Sequence, residues 1–150
     1  MARIVAVCIS EKKGTQKHDI KEGILKEDVG LVGDAHSCAG WHRQLSLLGM
    51  SSINKMLNLG ADVGPGAFAE NLTIEDGDIV LYKLPIGARL AVGRDGIILE
   101  VTQIGKECHE HCAIFQQVGT CVMPVEGIFT RIIKGGKVRA GDECRLIKTE

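Results

Sequence analysis

The stretch Arg89-Leu-Ala-Val-Gly-Arg-Asp-Gly-Ile-Ile-Leu-Glu-Val-Thr-Gln103 decides the fold class. Arg94-Asp95-Gly96 is a tight-turn signal between two aliphatic runs, Arg89–Val92 and Ile97–Gln103, which is the pattern of an antiparallel hairpin. Outward from it the chain offers more short segments of the same kind. Ala2–Ile9 reads as a β-rich opening strand, Gly30–Asp34 as a short strand or turn, and Gln44–Leu48 and Asn71–Ile74 as strands. Gly141-Asp142 introduces a last strand, Glu143–Lys148, and Leu84-Pro85-Ile86-Gly87 is a proline-set turn. After Ser51, the spacing of Ile53, Met56, Leu57 and Leu59 predicts a helix that stops at Gly60. Cys112–Val118 and Glu126–Ile133 also read as short helices, the second ending at Gly135-Gly136, and polar Glu11–Glu27 reads as an exposed loop. Seven or eight strands with two or three flanking helices predict a mainly-β barrel, one domain over residues 1–150, in preference to a parallel α/β sheet.

Composition agrees. Val and Ile total 28 against 13 Leu, which leans toward strands. With 45% hydrophobic residues in 150, one chain can bury a full core. The net charge of -1 supplies no basic field for a nucleic-acid backbone, so nucleic acid is not an expected partner. No apolar run approaches the ~20 residues of a membrane helix, and Met1–Ser10 reads as a strand without a cleavage site, so the expected location is the cytoplasm. There, six cysteines at irregular spacing (8, 38, 108, 112, 121, 144) point to thiol or metal chemistry before disulfides.

Four segments carry chemistry. Lys106-Glu-Cys-His-Glu-His-Cys112 is the densest: Lys106, His109 and His111 favour a thiolate, Glu107 and Glu110 oppose it, and a helix or tight turn would bring Cys108 and Cys112 together. A polar loop with two inward-packed cysteines is the plainer reading. Gly33–Ser46 gathers His36, Cys38, His42 and Arg43 around Trp41, the single tryptophan. That loop suits an anion such as phosphate, or His36 and Cys38 complete a zinc site with Cys108 and Cys112, or Trp41 simply packs over a barrel end. Gly64-Pro-Gly-Ala-Phe-Ala-Glu-Asn-Leu-Thr73 allows close backbone approach to a ligand, with Glu70 and Asn71 as polar contacts, and is equally readable as a structural corner. Gly135 and Gly136 beside Arg131 and Lys134 form a fourth anion candidate, or a solvated face.

Taken in order, GDAHS…WHRQLSLL, GAFAENLT, LPIGARL, LEVTQIGKECHEHCAI and GIFTRIIKGGKVRAGD resemble a MOSC domain, the domain named for the C-terminus of molybdenum cofactor sulfurase, in its small stand-alone bacterial form. The resemblance implies a β-barrel with flanking helices and one functional cysteine, which carries sulfur as a persulfide or ligates the molybdenum of the molybdopterin cofactor. Cys112 fits that position, with Cys108 as the alternative. Residue chemistry agrees with it: Arg43, His42, Arg131 or Lys134 suits the cofactor's phosphate, Gln44, Glu70 and Asn71 suit its rings, and His36 is a further cofactor-binding candidate. Partners would be a sulfur donor such as a cysteine desulfurase, a molybdoenzyme, or an electron-donor protein. Two other functions compete: a small zinc-binding barrel module, and a molybdenum-dependent reductase of N-hydroxylated compounds with a separate electron donor. One departure is Cys38-Ala-Gly-Trp-His42, where larger relatives show a His-Gly-Gly-like stretch.

Overall fold

The computed structural model describes residues 2–12, 16–35, 37–75, 77, 79–105 and 126–148, with residue 148 described for its backbone alone. Among these, the strands are β1 (Ala2–Ile9), β2 (His18–Asp19), β3 (Glu22–Lys26), β4 (Gly30–Leu31), β5 (Leu45–Gly49), β6 (Leu72–Glu75), β7 (Arg89–Val92), β8 (Ile97–Ile104), β9 (Ile128–Lys134), β10 (Gly136–Arg139) and β11 (Glu143–Lys148). One α-helix, α1 (Met50–Asn58), and one 3-10 turn, Leu81–Lys83, accompany them. The order β11-β7-β8-β9-β5-β6-β1 closes through β1–β11 into a seven-stranded barrel, to which β2 adds at one edge of β1. Closure removes the exposed edges that an open sheet would carry. Within the barrel β5–β6 is parallel and the other pairings are antiparallel. A small antiparallel sheet, β10-β3-β4, packs beside it.

Alternation fills the barrel. Ile4, Leu45, Leu47, Leu72, Ile74, Leu90, Val92, Ile97, Leu99, Val101, Ile128 and Ile132 form one buried cluster. A second cluster lies where α1 covers the barrel: Leu48, Ile53, Met56, Ala61, Phe68 and Phe129. The helix begins after an extended Gly49 with no side-chain cap, and ends at Leu59 before Gly60 at φ +95°.

Two expectations need correction. Glu126–Ile133 is not a helix: residues 128–134 form β9, paired on both sides with β5 and β8. Ile128 and Ile132 point into the barrel and Phe129 into the helix cluster, so both faces are buried and the apolar spacing imitates a helix. Glu11–Glu27 is not simply an exposed loop either. It contains β2 and β3, buries Leu25, and anchors Lys17 inside the protein. Cys112–Val118, the other expected helix, lies outside the described residues.

Candidate functional site

Two polar clusters hold four of the expected site residues, Glu70 and Asn71 in one and His42 and Arg43 in the other. The first sits beneath the glycine corner. Gly66 has φ +88°, and a Cβ there would stand 2.2 Å from the Lys17 carbonyl oxygen, so the close approach requires glycine. Glu70 is fully buried behind it. It accepts hydrogen bonds from the main-chain N–H of Gly66 (2.9 Å) and Phe68 (3.1 Å) and from the Thr73 hydroxyl (2.6 Å). Burial pushes its carboxyl above the ordinary value, and those three donors only partly offset that. Asn71 accepts from the Ser46 N–H at 3.0 Å and donates from Nδ2 to the Cys8 carbonyl at 3.1 Å, stitching β5 to β1. Close by, the buried Lys17 Nζ lies 2.6 Å from Asp34 Oδ1 and donates to Ser10 Oγ at 3.1 Å. Burial alone would raise Asp34, but the hydrogen bonds from Lys17 and the Ser10 N–H hold it below its usual range. The Cys8 thiol in this cluster is pushed up to about 12, first by burial and then by the negative Glu70 and Asp19.

The second cluster is on the surface, where β5 begins and β8 ends. Arg43 Nε donates to Gln103 Oε1 at 2.9 Å, and His42 Nε2 lies 2.9 Å from the same oxygen. The guanidinium carbon of Arg43 stands 5.9 Å from the Trp41 ring centre and 5.3 Å from that of Phe129, in cation–π range. Trp41 is 45% exposed and its ring is 4.5 Å from that of His42. The Thr102 hydroxyl donates to the His42 carbonyl. Gln103 Nε2 donates to the Gly105 carbonyl at 2.8 Å, and the Gly105 N–H donates to Gly127 O at 2.6 Å. The sequence that carries Cys108 and Cys112 therefore leaves and rejoins the described barrel beside Gln103.

The remaining candidates separate from this group. Gln44 is buried, bonding Asp28 (2.9 Å) and the Ile132 N–H (3.0 Å). Arg131 donates to the same Asp28 oxygen at 2.7 Å, and these two partners hold Asp28 below its ordinary value. Lys134 stands five residues beyond Phe129, about 16 Å along β9 at ~3.3 Å per residue. Cys108, Cys112 and His36 lie outside the described residues. Cys38, the described member of the expected zinc set, is exposed, and among the described residues no three His, Cys, Asp or Glu side chains gather as metal ligands. Sequence reasoning did not single out Lys17, Asp34 or Gln103. Lys17 and Asp34 are common charged residues whose pairing is visible only once β2 and β4 fold together.

The closed seven-stranded barrel has a MOSC-type fold. The family model for the MOSC domain matches residues 34–145, and the chain belongs to that family. The family is associated with molybdenum cofactor binding or sulfur-related function. Among solved structures the chain is similar to the YuaD protein of Bacillus subtilis (TM-score 0.79, 17% identity, covering 100% of this chain and 98% of that one). It is also similar to YiiM of Geobacillus stearothermophilus (0.69, 15%, 99% and 76%) and YiiM of Escherichia coli (0.62, 19%, 97% and 70%). At these identities the likeness is one of fold. No curated protein matches the chain.

Proposed function

We propose that this protein binds the molybdenum cofactor, or carries sulfur as a cysteine persulfide, through Cys112, with Cys108 as the alternative. The observation that carries the reading is the family match, which spans the Lys106–Cys112 segment and both cysteines. The donor set supports it. Among the described residues Arg43 makes no ion pair, and its terminal nitrogens make no hydrogen bond. It stands with His42 beside Gly105, where the cysteine-bearing sequence begins. Of the residues expected to meet the cofactor, Arg43 keeps donors for its phosphate with His42 beside it, Arg131 and Gln44 share Asp28, and Glu70 and Asn71 shape the corner behind. His36 and Lys134 complete the candidate set. When bound, the cofactor supplies a soft molybdenum centre that accepts a thiolate ligand.

In the sulfur-carrying role, the cysteine thiolate attacks the terminal sulfur of a donor persulfide such as that of a cysteine desulfurase. The donor's S–S bond breaks, its thiolate leaves, and the persulfide now sits on this chain with no net oxidation. In the cofactor role the partner is a molybdoenzyme or an electron-donor protein. No helix among the described residues is long and apolar enough to cross a membrane, and we place the protein in the cytoplasm.

The test is native mass spectrometry of anaerobically purified wild type beside Cys112→Ser. A pterin-sized adduct, or one added sulfur atom, present in the wild type and lost in the variant is expected. An adduct that survives in Cys112→Ser and disappears in Cys108→Ser transfers the role to Cys108. A bare wild-type chain after incubation with cofactor and with persulfide donor overturns the reading.

A further inference from the structure

The side-chain amide of Gln103 has only one orientation that satisfies its neighbours. Arg43 Nε is always a donor, so the atom 2.9 Å from it is the carbonyl oxygen. The other end, 2.8 Å from the carbonyl oxygen of Gly105, is then the NH2 group. That same Gln103 oxygen is 2.9 Å from His42 Nε2. An oxygen there requires a proton on Nε2, so neutral His42 is the Nε2–H tautomer and its Nδ1 is an acceptor. Arg43 is fixed at the same time. Its Nε is held by Gln103, and the Trp41 and Phe129 rings flank the guanidinium at 5.9 and 5.3 Å. What remains are the terminal N–H groups, which have no hydrogen-bond partner among the described residues. A planar fork of donors with no ion pair among the described residues is suited to a tetrahedral or planar oxyanion.

We propose that Gln103 is the positioning residue of an anion subsite for a phosphate group, whose donors are the terminal N–H groups of Arg43 and whose borders are His42 and Trp41. The proposal rests on the cofactor reading above in one respect, that the phosphate belongs to a pterin when the protein is loaded. The subsite is nevertheless present in the cofactor-free chain. A single carboxamide fixes the tautomer of His42 and holds the Nε edge of the Arg43 guanidinium, and its nitrogen ties them to Gly105.

The experiment uses cofactor-free full-length protein and inorganic phosphate as probe. Trp41 is the only tryptophan, so its emission reports this cluster alone. Ring ¹⁵N resonances of His42, assigned with His42→Gln, report the tautomer. Wild type should show the Nε2–H signature and a saturable phosphate response. Gln103→Met should redistribute the tautomer and weaken phosphate binding about tenfold, the loss of one oriented hydrogen bond. Gln103→Glu keeps an acceptor for both partners but sets a negative charge against Arg43, so the tautomer should persist while the phosphate response disappears. An unchanged tautomer and affinity in Gln103→Met overturns the proposal. So does retained phosphate binding in Gln103→Glu, which decides the matter alone if the methionine variant fails to fold. No saturable response in the wild type also overturns it. These readouts do not involve Cys112, so they separate failure of the subsite from failure of the cofactor reading, which the mass spectra report.

Discussion

The cluster beneath Gly66 and the cluster around Gln103 are built from the same kinds of side chain: a cation, an amide and a hydroxyl set at the ends of barrel strands. Beneath Gly66 the polar groups answer one another. Lys17 meets Asp34 and Ser10, Glu70 collects three donors, and Asn71 bonds in both directions. Among the described residues no buried polar side-chain atom is without a partner. Around Gln103 the network is one-sided: both ends of the amide are engaged, while Arg43 keeps donors and His42 an acceptor at the surface. The two clusters thus differ in where their bonding closes: inward beneath Gly66, and with capacity left at the surface around Gln103.

The largest effect should come from breaking the first cluster at its ion pair. Lys17→Met leaves a buried Asp34 without its cation and should cost about 3–5 kcal/mol in urea unfolding. The pH dependence has a definite sign. Because Asp34 is held below its ordinary value of ~3.9, the pair's contribution is fully present above that pH and is lost as pH falls through the lower folded value. The gap between wild type and Lys17→Met should therefore shrink in acid. A cost under ~1 kcal/mol, typical of an exposed pair, would mean that the Lys17 strap contributes little.

Glu70→Gln should cost less, about 1–3 kcal/mol, because its amide nitrogen must face one of the three donors that the carboxylate accepts. Its pH signature runs opposite to that of Asp34. Burial raises Glu70, so the wild type loses stability as pH climbs from ~4.3 through the raised folded value. The glutamine variant should lack that slope. Identical pH profiles for the two proteins would show that Glu70 does not carry the burial assigned to it.

These two clusters also explain how much could be read beforehand. The hairpin at Arg94-Asp95-Gly96, the helix ending at Gly60 and the strand after Gly141-Asp142 were legible because turn chemistry and one-sided burial are local. β9 was not, because Ile128, Phe129 and Ile132 are apolar on both faces and only the covering by α1 reveals why. Residue type alone singled out His42 and Arg43, and the fold sets both against the Gln103 side chain. Gln103, sixty residues away from Arg43 and unremarkable in sequence, becomes informative only when register brings β8 against the start of β5. The roles expected of Gln44 and Arg131 depended on free hydrogen-bonding groups, and the chain alone gave no sign that Asp28 would engage both.

The smallest effect on stability is expected in the second cluster, and that is what makes it the sharper test. Arg43 is half-buried and makes no salt bridge among the described residues, so Arg43→Lys removes chiefly its two ring contacts and the Gln103 bond. Thermal unfolding should report a loss of no more than about 1 kcal/mol. Phosphate affinity, read from Trp41 emission, should nevertheless fall, because a lysine keeps the charge but has neither the planar fork nor a nitrogen that Gln103 can hold in place. A variant that binds phosphate normally would mean that charge alone suffices and the fixed plane is incidental. One that loses as much stability as Glu70→Gln would place Arg43 with the scaffold, and the distinction between inward-closed and outward-facing clusters would no longer separate structure from ligand binding in this barrel.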